Sequence, residues 1–167
     1  VQFAANDPAV LLEAALHAQA LGADAVDINF GCPQRRASAG HCGAYLLDRP
    51  DWALCESMVR TLSEDARCRI PCFCKIRLID WDDFEATIEF ARALEAAGCK
   101  LLAVHGRTRG REDRRRHGPA NLEAIRAVKA ALKIPVIANG NVRSAGDVLQ
   151  NKDFCQADGI MSAEELL

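Results

Sequence analysis

A chain of 167 residues, half of them hydrophobic, is enough for one domain with a packed core. Its formal net charge of −2 excludes an overall polycation and leaves any nucleic-acid contact to local clustering. Eight cysteines lie in long, regular segments with no hydrophobic leader or membrane-length run, which reads as free thiols in a reducing compartment rather than a disulfide scaffold.

Val1 to Ala5 predicts a first strand, and Asp7-Pro8 an N-cap followed by proline at the first helical position. The helix runs to about Leu21 and stops at Gly22. Ala25 to Phe30 alternates with the period of a strand, and Gly31 and Pro33 end it with Cys32 between them. A thiol held there is placed for chemistry, although a buried cysteine in a tight turn fits the same residues. A Gly-rich loop is expected from Gly31 to Gly43, then a helix from about Pro50 to Leu62 with Trp52, Leu54, Cys55, Met58 and Val59 at helical spacing.

Ile70 to Leu78 predicts the third strand. Cys68, Cys72 and Cys74 lack a paired C-x-x-C or a neighbouring histidine, so core packing is preferred to zinc. A helix follows from Asp82 to Ala97, closed by Gly98, then a strand from Lys100 to Gly106 and a polar loop. Asn121 caps a helix to about Leu132, Ile134 to Ala138 forms a fifth strand, and Ser144 with Asp147 reads as a capping box. Ala157 to Met161 is the sixth strand.

Six strand signals alternating with five helices predict an α/β fold with parallel strands. An open doubly wound sheet and a (β/α)8 barrel both fit that alternation. A dinucleotide-binding sheet would concentrate its signature in one G-x-G-x-x-G turn, which is absent. Here polar side chains recur at successive strand ends: Asn29 and Cys32, Lys75 and Arg77, His105 and Arg107, Asn139 and Asn141, Ser162 and Glu164. Function spread over many C-terminal strand ends points to a TIM barrel, partial at about six of eight units. Val1 inside a strand-like run further suggests a piece of a longer protein.

Lys75 and Arg77 share a strand face and are costly to bury unless paired, so they require an anionic ligand, an exit to the barrel mouth or structural ion pairs. His105 and Arg107 repeat the arrangement, with Gly106 between them allowing close approach of a ligand. Asn139-Gly140-Asn141 is either an ordinary turn or a phosphate-binding one. Six arginines between Arg107 and His117, with Arg35 and Arg36, form either a solvated charge run or a basic rim for RNA phosphates.

The run Asp27-Ile28-Asn29-Phe30-Gly31-Cys32-Pro33-Gln34, the following Gly40 to Leu47, Lys75-Ile76-Arg77, Val104-His105-Gly106-Arg107-Thr108 and Asn139-Gly140-Asn141 together resemble the tRNA-dihydrouridine synthases. The opening Val1 to Asp7 and the closing Met161 to Glu164 look most like the eukaryotic members acting on uridines 16 and 17 of the D-loop. The resemblance implies an FMN-dependent barrel that reduces uridine in tRNA with electrons from NADPH or NADH. It implies that Cys32 is the general acid and that Gln2, Lys75 and His105 contact flavin. It further implies that Asn139, Gly140 and Asn141 form the phosphate loop, and that Asn29, Arg77 and Arg107 stand near the substrate uridine. Ala163-Glu164 stands where many members carry Gly-Arg for the phosphate, a departure that removes a cation. Reduced flavin would deliver hydride to C6 of uracil and a thiol a proton to C5, an ordinary thiol being mostly protonated at neutral pH.

The resemblance also implies that residues 1–167 are a partial FMN-binding barrel domain, without the family's first two strands and its C-terminal helical tRNA-binding domain. It implies a monomer when complete, tRNA but no membrane as partner, and a cytoplasmic or nuclear location. Alone, the chain is expected to be inactive and poorly soluble, because open sheet edges and bare apolar faces remain. Two rivals stand beside this reading: a Schiff-base barrel lyase using Lys75, and an inactive fragment or RNA-binding remnant.

Overall fold

The computed structural model describes residues 1–110 and 118–162. Arg111, Arg114, Arg115, Arg116 and His117, and likewise Ala163 and Glu164, lie outside the described residues. The strands are β1 Gln2–Phe3, β2 Val26–Phe30, β3 Cys72–Leu78, β4 Leu101–Thr108, β5 Val136–Asn139 and β6 Gly159–Met161. The helices are α1 Pro8–Ala20, α2 Arg35–Ala39, α3 Trp52–Glu64, α4 Phe84–Ala96, α5 Leu122–Ala131 and α6 Ala145–Cys155.

All six strands are parallel, and their order in the sheet is their order in the chain. A doubly wound sheet reverses direction at a switch point. Here each strand adds to the same side of the one before it, which is barrel growth and decides between the two architectures in favour of the partial TIM barrel. Consecutive long helices pack in one layer, α1 on α3, α3 on α4, α4 on α5 and α5 on α6.

Local chemistry sets the ends of the elements. Asp7 Oδ1 accepts from the N–H groups of Ala9 and Val10, and Asn121 Oδ1 accepts from Ala124 N. Gly22 and Gly98 adopt φ of +89° and +112° just past their helices, where a Cβ would be strained. The predicted Ser144–Asp147 capping box is present. Ser144→Ala removes one of its two reciprocal bonds and is expected to cost about 1 kcal/mol, read as a lowered urea midpoint at constant slope.

Alternation then sorts the strand side chains. Val26, Ile28, Phe30, Cys72, Cys74, Ile76, Leu102, Val104, Val136 and Ala138 are buried in the hydrophobic core. Phe90 of α4 stands edge-on to Phe30 at 6.2 Å and against Trp52 at 5.1 Å, tying α3 and α4 to the sheet. Cys72 and Cys74 belong to this core, as expected, and all eight cysteines are free. Asp27, Asn29, Lys75, Arg77, His105 and Asn139 occupy the alternate positions, on the inner face.

Two local expectations are corrected. The Gly31–Gly43 segment is not all loop, because it contains the short helix α2. No side chain caps α2, so its start carries no signal in the sequence. Gly106 leaves no room for a ligand. A Cβ there would lie 2.8 Å from Asn121 O and 3.0 Å from Ala120 Cβ, so its missing side chain admits the chain's own backbone. The β3–β4 register shifts at this point, with Arg77 opposite His105 and Leu78 opposite Thr108.

Candidate active site at the strand ends

Cys32 lies two residues past the end of β2, half-buried, on a backbone held by several hydrogen bonds. Asn29 Oδ1 accepts from the N–H groups of Gly31 and Cys32, each at 2.9 Å. The three successive carbonyls are also engaged. Gly31 O accepts from Arg77 Nε at 2.8 Å, Cys32 O from Ala44 N at 3.0 Å, and Pro33 O from the Tyr45 hydroxyl at 3.3 Å. Gly43 lets its loop come this close, since at its φ of +63° a Cβ would lie 2.7 Å from Cys32 O. The thiol therefore stands on a fixed platform.

Beside it, on β3 and β4, stand the cations Lys75, Arg77 and Arg107. Lys75 Nζ donates to Asn139 Oδ1 at 2.9 Å, and Asn139 Nδ2 donates to Met161 O at 2.8 Å. Burial, then the charge of Arg77, push the Lys75 pKa down to about 8 despite the attraction of Asp27. Arg77 is 8% exposed, and its Nη1 also donates to Thr108 O at 3.1 Å. Among the described residues none of Lys75, Arg77 and Arg107 forms an ion pair with a carboxylate. Three cations with Asp27 as a nearby carboxylate leave an excess of positive charge that fits an anionic ligand at the mouth.

Arg107 Nη1 lies 3.0 Å from His105 Nε2, and Arg107 Nε donates to Gly118 O at 3.0 Å. A guanidinium only donates, so Nε2 of His105 accepts and the ring is neutral with its proton on Nδ1. Burial, then Arg77, Lys75 and Arg107, hold its pKa down to about 3. Its ring is expected to show no protonation between about pH 8 and about pH 5 in an NMR titration. A midpoint near the ordinary value of 6.5 would break the Arg107 contact as described.

The remaining predicted residues fall in two groups. Gln2 reaches the Cys32 side of the site, where its Oε1 accepts from Asn29 Nδ2 at 2.9 Å. Gly140 takes a φ of +123°, and a Cβ there would meet Ala120 Cβ at 2.5 Å and His105 Cδ2 at 3.4 Å. Asn141 is turned to scaffolding, accepting from Ala120 N at 2.6 Å and donating to Ala120 O at 2.9 Å. Asn151 Nδ2 donates to the carbonyls of Gly140 and Asn141, bracing this turn.

The basic rim is only partly described. Arg35 and Arg36 lie exposed on α2. Arg109, by contrast, is bound to Asp48 through both terminal nitrogens, at 3.0 and 3.2 Å, and lies over the Tyr45 ring at 5.0 Å. It ties the loop after β4 to the loop that carries Cys32. Sequence reasoning missed this tie, and Asp27, Tyr45 and Asn151. Only Asp27 had a readable signal, its place two residues before Asn29 on the same strand face.

A family model described as Dihydrouridine synthase (Dus) matches residues 1–167. The Mus musculus protein named tRNA-dihydrouridine(16/17) synthase (NAD(P)(+))-like is 44% identical over 98% of this chain and 33% of its own length. The Saccharomyces cerevisiae tRNA-dihydrouridine(16/17) synthase (NAD(P)(+)) is 37% identical over 98% of this chain and 37% of its own. The chain thus spans about a third of the length of these curated relatives. Among solved structures, dihydrodipicolinate synthase from Agrobacterium tumefaciens superposes with a TM-score of 0.62 at 16% identity, over 95% of this chain and 51% of that one. At that identity the likeness speaks for the fold alone.

Proposed function

We propose, from the premise that this chain belongs to the dihydrouridine synthase family, that it carries the catalytic strand ends of an enzyme reducing uridine in tRNA to 5,6-dihydrouridine. The observation that carries this reading is a thiol on a clamped backbone beside Arg77, at strand ends where Lys75 and Arg77 form no carboxylate ion pair among the described residues. The relatives' names, tRNA-dihydrouridine synthases, support the substrate class. No described helix is long and apolar enough to cross a membrane.

The residues fit FMN: an ammonium and a neutral imidazole face the mouth, and the Gly140 turn closes against His105. Bound FMN, reduced by NADPH or NADH, supplies the hydride that uracil takes at C6. Lys75, as a cation, and His105, as a neutral ring, are the residues that would hold the flavin. Gln2 faces the same ligand, and Asn139 keeps Lys75 directed at it. Cys32 Sγ–H gives its proton to C5 of uracil, so one S–H bond breaks as one C–H bond forms. Arg77 and Asn29 hold the Cys32 loop and, with Arg107, line the place where a flipped uridine enters. The turn at Gly140 and Asn141, and Ala163 with Glu164, would meet the flavin phosphate. Exposed Arg35 and Arg36 serve tRNA phosphates at the rim.

Lys75 provides the test. Its charge is present below pH about 8 and is lost as pH rises through that value. If the flavin needs the ammonium, its affinity for the enzyme falls approaching about tenfold between pH 7 and pH 9, because the protonated fraction does so. Lys75→Arg, whose charge persists, should flatten that profile, and flavin fluorescence quenching reads it. A wild-type profile already flat would remove Lys75 from the flavin site. The lowered lysine pKa also suits a Schiff-base lyase, and borohydride trapping of a carbonyl compound on Lys75 would favour that reading instead.

A further inference from the structure

Asp27 is a carboxylate on the inner face of β2, two residues before Asn29, and no role assigned above uses it. It pairs in register with Gln2 of β1, whose Nε2 donates to Asp27 Oδ2 at 2.5 Å. Gln2 Oε1 in turn accepts from Asn29 Nδ2 at 2.9 Å, and Asn29 Oδ1 accepts from the N–H groups of Gly31 and Cys32. These bonds form one chain running from a carboxylate to the backbone of the thiol.

The chain has only one polarity. Backbone N–H groups can only donate, so they claim Asn29 Oδ1 and leave Asn29 Nδ2 to donate onward. Gln2 must accept with Oε1, which leaves its Nε2 as a donor. That donor needs an acceptor, and an ionised carboxylate is one that cannot present a proton in return. An amide at position 27 could accept from Gln2 only as a neutral oxygen, with its own nitrogen competing for the place, so the hold on the chain would weaken.

We propose that Asp27 is a positioning residue for Cys32, acting through the amides of Gln2 and Asn29 to lock the backbone N–H groups of Gly31 and Cys32. The role of Cys32 as proton donor rests on the function proposed above, whereas the relay rests on its geometry alone. Burial, the largest influence, raises the Asp27 pKa, and the Gln2 bond and Lys75 of β3 offset it only in part. The carboxylate is thus kept at a place where it is costly. It also joins the two halves of the site, since Gln2 faces the flavin and Asn29 carries the acid's loop.

The test is an exchange of polarity. Asp27→Asn replaces a charge-assisted bond by a neutral one and weakens the hold on the Gln2 amide, so amide hydrogen exchange at Gly31 and Cys32 should accelerate roughly tenfold. The Leu102 amide, bonded to Pro135 O on the far strands, should not change. Adding Asn29→Asp rebuilds the chain in reverse at the same net charge. The amide introduced at position 27 donates to Gln2 Oε1, Gln2 Nε2 donates to the new carboxylate, and that carboxylate still accepts from both N–H groups. The double variant should therefore regain protection at Gly31 and Cys32, while Asn29→Asp alone, with carboxylates on both sides of Gln2, does not. In the enzyme, dihydrouridine formation should fall in Asp27→Asn.

Unchanged exchange at Gly31 and Cys32 in Asp27→Asn overturns the proposal. If that variant unfolds, the double variant decides: recovered folding with protection supports the relay, and failure to recover overturns it. Protection that falls and recovers while the wild type forms no dihydrouridine supports the relay and overturns the function instead.

Discussion

Cys32→Ala is expected to lower dihydrouridine formation by about 10²–10⁴-fold, the usual worth of a positioned proton donor. Flavin binding and flavin reduction by NAD(P)H should be unaffected. The separation follows from how the loop is built. The N–H groups of Gly31 and Cys32 are held by Asn29, and the carbonyls from Gly31 to Pro33 by Arg77, Ala44 and Tyr45. None of these bonds uses the sulfur, so its removal leaves the frame standing. Mass spectrometry of tRNA nucleosides measures the product, and rapid mixing with NADPH measures the flavin half-reaction. Normal product formation by the variant would sink the assignment.

Arg77→Ala is expected to destabilise the protein by about 3–5 kcal/mol, a large share of a typical margin of about 5–15 kcal/mol. The guanidinium bonds Gly31 O just after β2 and Thr108 O at the end of β4, carbonyls 77 residues apart in the chain. Truncation leaves both without their charged donor. Arg77→Lys keeps the charge but supplies a point donor in place of a fork, so it should lose about half as much. Urea unfolding midpoints rank the three forms. A residue present only to attract substrate would behave oppositely. Burial and the charge of Arg107 both oppose the Arg77 charge, so its removal would then leave stability unchanged or raise it.

The two variants probe different layers of one site. Cys32 is the proposed proton donor, and Arg77 supports the loop that presents it. The resemblance placed Arg77 near the substrate, and the geometry adds that its Nε and one Nη1 donor are spent on the protein's own backbone. Asn141 is a similar case. Its side chain closes on Ala120, so any service to a phosphate there falls to the turn it shapes rather than to its amide.

Local patterns in the sequence determined more than the element types. Period-two alternation alone separated the helix-facing Ile28, Cys74 and Val104 from the inward Asn29, Lys75, Arg77, His105 and Asn139, because a strand has only two faces. Asp7, Gly22, Asn121 and Ser144 marked helix ends, because capping needs nothing beyond a few neighbouring residues. Polar residues recurring at successive strand ends indicated a barrel mouth. What those residues bond to was decided only in three dimensions. Strand order chose the barrel over the open sheet, and the β4 register shift gave Gly106 to Ala120 and Asn121 rather than to a ligand. Arg109 found Asp48, Arg107 found His105 and fixed its tautomer, and Arg77 found Gly31, whose carbonyl lies 46 residues earlier. The Asp27 relay also needed β1 beside β2, since Gln2 stands 25 residues before its partner. The physical reason is common to all of these: a hydrogen bond requires ångström-scale placement, and between distant residues only the packed sheet supplies it.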